Sequence, residues 1–352
     1  MKIVQVMAGA AHGGAETFFI DLVRALHRTG LDQLVIIRPD ETRIKILEQD
    51  GIKYKTLPFG GLLDFKTKGQ MHKIINEYQP DIVQTFMGRA SSYYTPGPWK
   101  HIGWFGGYYD LKRFKHCDAY VGVTFDIARN IRKQGAPDEM AHTIHTYADL
   151  DYDTPALKRS DYDTPEDAKV FCALARLHWK KGLDTLLDAF TAVPGAYLWI
   201  AGEGEDREKL EQQMNDLGLQ DRVRFLGWQD DRAAVLKASD FCVFPSRYEP
   251  FGTVMVEAWA MKTPIIAAAS QGPKEYMKHE QNGLLMEIDD TAALSEYMNR
   301  FLNDKELCER VIKGGQETFQ ERFTEDAVVE EYMKLYNALL TPVDTKKAAK
   351  AI

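Results

Sequence analysis

Cysteine is scarce in these 352 residues: Cys117, Cys172, Cys242 and Cys308 stand far apart, with no CxxC spacing and no ligand-like histidine pattern around them. That excludes a disulfide scaffold or a zinc ribbon and reads as reduced, structural thiols in a cytoplasmic protein. Long apolar runs are missing too. No stretch approaches the roughly 18 to 20 apolar residues of a membrane span, and the opening MKIVQVMAGAAHGG reads as a buried first strand rather than the core of a signal peptide. The GxGxxG fingerprint is absent after that strand, which disfavours a dinucleotide site and with it a nicotinamide-dependent oxidoreductase. Excess positive charge is also lacking. Residues 1–150 hold 19 Lys and Arg against 16 Asp and Glu, residues 151–352 hold 25 against 36, and the net charge is −8. A nucleic-acid partner is therefore not expected.

What is present is an ordinary globular composition, 45% hydrophobic and 27% charged, in a chain long enough for two domains. Strand-like and helix-like segments alternate. KIVQVMA is followed by TFFIDLVRALHRTG, LDQLVIIRP by TRIKILEQDG, IKYKTLP by KGQMHKIINEYQP, and DIVQTFM, KHIGWFGG and DAYVGVT then lead into DIARNIRKQGAP. The pattern lapses in the acidic, proline-bearing stretch around 146–168 and restarts with AKVFCALARL. Strands separated by helices predict α/β architecture with parallel sheets, and the restart predicts two Rossmann-like halves.

Ligands of such sheets bind outside the carboxyl ends of the strands. Four loops lie there. HGGAE carries Gly13 and Gly14, whose bare backbone can approach an anion, although a plain tight turn fits equally. RLHWKKG places Arg176 and Lys181 five residues apart, within reach of one diphosphate or simply facing solvent. AGEGEDREKL offers Gly202 and Gly204 to a base or sugar, while its acids suit a helix start. The fourth is FPSRYEPFGTVMVEAWAMKTP. Pro250 keeps Glu249 out of the helix, so the helix starts near Gly252 or Thr253 and Glu257 lies about 6 Å along it. Free backbone N–H groups then sit between two carboxylates, and a solvated helix face is a poor setting for Glu257 in so apolar a segment.

RLHWKKG, FPSRYEPFGTVMVEAWAMKTPIIA and QGPKEYMKHEQNGLLMEIDD, with HGGAE upstream, resemble the retaining family-4 glycosyltransferases, whose mark is two glutamates separated by seven residues. WFGGYYDL and QTFMGRAS look most like the bacterial members that build lipopolysaccharide core or related surface glycans. The resemblance implies a GT-B fold, two Rossmann-like domains facing a central cleft. Residues 1–160 would form the acceptor domain, rejoined by a helix over 325–340; residues 165–324 would form the donor domain, and 341–352 a flexible tail. It implies a nucleotide-sugar donor, UDP before GDP, a glycan or glycolipid acceptor, front-face transfer with retention, and no metal or other cofactor. Arg176 and Lys181 would bind the diphosphate, Glu249 the sugar hydroxyls and Glu257 the ribose. Phe251, Gly252 and Thr253 would add backbone contacts, Gly202 and Gly227 would border the nucleotide, and Gly13 and Gly14 would close over the phosphates. The chain departs from the family where Gly106 and Gly107 stand in place of an expected histidine, so that either another group such as Tyr108, Tyr109 or Asp110, or backbone N–H groups, would do its work; Gly106, Gly107, Tyr108, Asp110 and Arg89 are the acceptor-side candidates, and His101 would lie within the sheet. A peripheral contact with an anionic inner membrane would use Trp99, Lys100, Lys112, Arg113, Phe114 and Lys115. A sugar-nucleotide sensor without turnover, or an enzyme acting on a soluble small-molecule acceptor, are the alternative readings.

Overall fold

The computed structural model describes residues 1–10, 13–60 and 64–341. It divides the chain into two compact units, residues 1–146 with the chain from Glu325 onward, and residues 147–324. In the first unit the elements run β1 (Lys2–Met7), α1 (Gly14–Arg28), β2 (Asp32–Ile37), α2 (Glu41–Gln49), β3 (Tyr54–Thr56), α3 (Lys66–Tyr78), β4 (Ile82–Phe86) and α4 (Met87–Tyr93). They continue with β5 (Lys100–Phe105), β6 (Ala119–Gly122), α5 (Phe125–Lys133) and β7 (Ala141–Thr143). The second unit holds β8 (Lys169–Leu174), α6 (Leu183–Phe190), β9 (Ala196–Ala201), α7 (Arg207–Asp216), β10 (Val223–Gly227) and α8 (Arg232–Ala238). After these come β11 (Phe241–Phe244), α9 (Thr253–Ala260), β12 (Ile265–Ala268), α10 (Gln271–Tyr276), β13 (Leu284–Met286), α11 (Thr291–Asn303) and α12 (Lys305–Arg322). The last helix, α13 (Glu325–Leu340), returns to the first unit.

Both sheets are parallel, in the orders β3-β2-β1-β4-β5-β6-β7 and β10-β9-β8-β11-β12-β13. Their strands are near-continuous apolar runs because helices cover both faces. The strand order reverses between β1 and β4 and between β8 and β11, the switch points at which open parallel sheets of this kind bind their ligands.

The first boundary falls at 146, not 160. Residues 147–160 belong with the second unit, where Leu157 N–H donates to the Ala234 carbonyl at 3.1 Å and Lys237 Nζ donates to the carbonyls of Tyr152 and Thr154. The helix α13 is tied to the first sheet by Tyr336, whose buried hydroxyl donates to Gln84 Oε1 of β4 at 2.6 Å, and to the end of α1 by an Arg28–Glu325 ion pair. Residues 342–352, the expected tail, lie outside the described residues. No helix among the described residues is long and apolar enough to cross a membrane.

Candidate functional site

The β8/β11 switch point in the second unit gathers the residues that the sequence scatters. β8 ends in Leu174, and a single turn of 3-10 helix, Trp179–Lys181, follows before α6. Gly182 caps that turn with φ of 64°, and a Cβ there would lie 2.2 Å from the Pro245 carbonyl oxygen, so only glycine lets the two loops cross so closely. Arg247 N–H donates to the Lys180 carbonyl at 2.8 Å. The consequence is a direct contact: Lys181 Nζ lies 2.6 Å from Glu249 Oε2, with both side chains largely shielded from solvent. Arg176 is exposed, and its guanidinium has no hydrogen-bond or ion-pair partner among the described residues.

Arg247 was not singled out by sequence, and it holds this site together. Its guanidinium grips Asp184 through two bonds of 2.8 Å, Asp289 through Nε at 2.7 Å, and the Thr185 hydroxyl at 3.0 Å. Burial alone would raise the Asp184 pKa, but the Arg247 bonds outweigh it and hold the carboxyl below its usual value. The ionised, bidentate fork fixes the loop before Glu249 onto the first turn of α6.

Past Glu249 the chain turns through Gly252, at φ of 100°, into α9, and no side chain caps the helix. Thr253 is its first residue; Met255 N–H already donates to the Gly252 carbonyl at 2.9 Å, which leaves the N–H groups of Thr253 and Val254 open to an anion. Phe251 is buried against Tyr276 and Phe323, which anchors the turn from behind.

Glu257 is the most unusual group here. Its side chain is 0% exposed, yet neither carboxylate oxygen has a hydrogen-bond partner. Arg232 Nε, from the first turn of α8, approaches Oε1 to 2.9 Å at an angle that makes no hydrogen bond, and that Nε is itself buried without a partner. Burial pushes the Glu257 pKa up and Arg232 opposes it only in part. Buried, unpartnered hydroxyls of Ser246 and Ser270 lie just beyond the carboxyl ends of β11 and β12. Buried polar atoms are ordinarily partnered, so at this end of the sheet the chain leaves hydrogen-bonding capacity that it does not itself use.

Gly202 stands just past β9 and Gly227 ends β10, and packing requires the first of them to be glycine. A Cβ on Gly202, whose φ is 148°, would lie 2.0 Å from the Ala175 oxygen, and Gly202 N–H donates to the Gly227 carbonyl at 2.7 Å. Trp228 beside it is exposed and donates through Nε1 to Asp230 at 2.8 Å.

In the first unit, Gly13–Gly14, Arg89 and Gly106–Asp110 lie beyond the carboxyl ends of the neighbouring strands β1, β4 and β5. His12 lies outside the described residues. Glu16 of α1 folds back to accept from Ala10 N–H at 2.8 Å, and a Cβ on Gly13 or Gly9 would meet its carboxylate at 2.3 or 2.6 Å, so those two glycines make room for an internal anion, whereas Gly14 faces open space. Gly106 has its bare face against the Trp104 ring, and Gly107 is half-buried beside it. Tyr108 donates to Asp126, Asp110 accepts from Lys112 N–H at 2.9 Å and so caps a turn, and Arg89 is exposed. His101 is fully buried against Thr85 and Tyr94, within the sheet.

The expected aromatic membrane face is corrected in part. Trp99 is buried and donates to the Tyr94 hydroxyl at 3.1 Å, and Phe114 is buried and stacked on Phe105 at 3.8 Å, because both rings complete the core around β5. Lys100 is exposed but paired with Asp118 at 2.9 Å, which leaves Lys112, Arg113 and Lys115 as the exposed cations of this set without an ion pair among the described residues.

Comparison with known proteins gives a consistent set of likenesses. The model of the family "Glycosyl transferases group 1" matches residues 156–318. Two lipopolysaccharide core biosynthesis glycosyltransferases of Rhizobium meliloti, LpsD and LpsE, are each 35% identical; the alignments cover 96% and 95% of this chain and 98% of each relative. Among solved structures, a glycosyltransferase from Rickettsia africae superposes with a TM-score of 0.85 at 19% identity over 97% of this chain and 98% of that one. Anabaena HepE, in complex with UDP and glucose, superposes with a TM-score of 0.80 at 21% identity over 96% of this chain and all of the other. These two show the fold: GT-B.

Proposed function

Because the chain belongs to the group 1 glycosyltransferases and is a glycosyltransferase, we propose that it moves a hexose from a nucleoside-diphosphate donor to a lipopolysaccharide-core or related surface-glycan acceptor, with retention of configuration. The observation that carries the donor reading is the run from Glu249 to Glu257, two carboxylates flanking a helix start that no side chain caps. In this reading Arg176, Lys181 and that helix terminus take the diphosphate, so that charge developing on the leaving group is met by cations and N–H dipoles rather than by a divalent metal. Glu249 accepts from sugar hydroxyls and Glu257 from the ribose. UDP is favoured over GDP, supported by the HepE complex with UDP and glucose. The core-glycan acceptor is supported by the names and the near full-length match of the two Rhizobium proteins.

The test is transfer by purified protein from a panel of UDP- and GDP-hexoses to purified core glycan, with the product anomer read by NMR and EDTA added in parallel. We expect UDP-hexose to be used, the anomeric configuration kept and EDTA to change the rate less than twofold or so. Donor binding without turnover on any acceptor would favour the sensor reading, and an EDTA-abolished rate restored by magnesium would end the metal-free assignment.

Membrane association belongs to the same proposal. Lys112, Arg113 and Lys115 would draw the first unit to anionic lipid, each contributing about 1 kcal/mol near the surface. Charge reversal at all three is expected to reduce binding to phosphatidylglycerol vesicles; unchanged binding and unchanged activity on a lipid-linked acceptor would remove the membrane from the account.

A further inference from the structure

The contact between Arg232 and Glu257 has no structural reward that explains it. A buried carboxylate and a guanidinium held at 2.9 Å without a hydrogen bond bear the desolvation cost of an ion pair without its full return. Arg232 is not committed elsewhere in the core, since its side chain is 41% exposed and Nε is unpartnered. Asp231, which caps α8 by accepting from Ala234 N–H at 3.1 Å, fixes the backbone beneath it. Between them the two groups hold unused acceptor lone pairs and an unused N–H donor. A vicinal diol offers the complement, with hydroxyl protons to give and oxygen lone pairs to receive.

We propose that Arg232 is a ribose-positioning residue, which keeps Glu257 in its acceptor form and itself donates to a ribose oxygen, so that the pair selects ribonucleotide over deoxyribonucleotide donors. The proposal rests on the donor reading given above and adds to it a residue and a specificity. Nothing in the sequence marks Arg232, which lies 25 positions before Glu257 in an unremarkable DDRAAV segment. The titratable groups that bear on the carboxylate among the described residues are Arg232 from α8 and Cys242 from β11. The Cys242 thiol is held protonated by its bond to Cys172, by burial and by the Glu257 charge. Arg232 is thus the group that opposes protonation of Glu257.

The experiment compares binding of UDP with 2′-deoxy-UDP and 3′-deoxy-UDP by calorimetry, with the GDP series alongside, for wild type, Arg232→Met, Arg232→Lys and Lys181→Ala, between about pH 6 and pH 9. Wild type should prefer the ribonucleotide by about tenfold or more over at least one deoxy form, since a site built for a hydroxyl penalises its loss. In Arg232→Met the preference should fall to within about threefold at the acid end, where Glu257 without its cation takes up a proton, and should partly return as the pH rises. Arg232→Lys should keep more of it than Met does. Equal weakening of UDP and both deoxy forms at every pH in Arg232→Met would overturn the proposal by reducing Arg232 to a structural role; so would an unchanged preference. In either case a loss of UDP binding in Lys181→Ala would leave the donor reading standing. Wild-type protein that binds neither UDP nor GDP would overturn both.

Discussion

Lys181 Nζ and Glu249 Oε2 are 2.6 Å apart, so the group assigned to the diphosphate and the group assigned to the sugar neutralise each other in the free protein. A donor must part them, and each then takes a different portion of the ligand. Glu249→Ala is therefore expected to bind UDP as tightly as wild type or tighter, because Lys181 is released, while transfer falls about 10²-fold or more. Lys181→Ala should weaken UDP itself by about tenfold or more, because a charge-assisted contact is lost. Titration with UDP alone and then with the nucleotide sugar separates the two; equal loss of UDP affinity in both variants would refute the division of labour.

Arg247 never has to touch the ligand to matter. Arg247→Met removes its bonds to Asp184, Asp289 and Thr185 and should destabilise the second unit by about 2 kcal/mol or more, leaving carboxylates half-buried and unpaired. Arg247→Lys should recover little, because an ammonium cannot reproduce a planar fork that holds two carboxylates. Urea unfolding, with transfer measured well below the melting temperature, checks both the stability and the misplacement of Glu249.

Two glycines with left-handed backbone separate strain from function. Gly252→Ala and Gly218→Ala each put a Cβ on positive φ, 100° and 67°, at a cost of about 1 kcal/mol or slightly more. A Cβ at Gly218 meets nothing within 4 Å, whereas at Gly252 it crowds the Phe244 ring at 3.1 Å beside the uncapped start of α9. Both variants should melt a few degrees lower, and only Gly252→Ala should also lose donor affinity. Differential scanning fluorimetry with and without UDP reads both effects.

Acid should loosen the first unit through His101. Burial, the largest cause, lowers its pKa from the ordinary 6.5 to about 4. The unfolded chain then binds the proton first, so stability falls as pH drops from about 6.5 towards about 4 and levels off below, a loss of about 3 kcal/mol over that window. His101→Gln should flatten this slope in pH-dependent urea titrations relative to wild type; an identical slope would show that other groups carry the acid sensitivity.

Much of this protein was readable from local pattern. The alternation of short apolar runs with amphipathic segments predicts both parallel sheets, and Pro250 with Gly252 places Glu249 before the helix and Glu257 within it, as observed. These follow because strand and helix periodicity, proline and glycine act over a few residues. The basic aromatic segments around Trp99 and Phe114 misled for the same reason: composition does not say which side of a strand a ring will meet, and both rings fill the core.

What the sequence determined by itself was the kind of element at each point and the chemistry carried on each loop. Tertiary structure alone decided which loops meet. Lys181 reaches Glu249 across 68 residues, and Arg247 reaches Asp184 across 63 and Asp289 across 42. Arg232 reaches Glu257 between two different helices. The physical reason is the strand order: placing β11 beside β8 brings their outgoing loops together, and that order is set by how crossing helices bury the whole sheet, a property no short window of sequence contains.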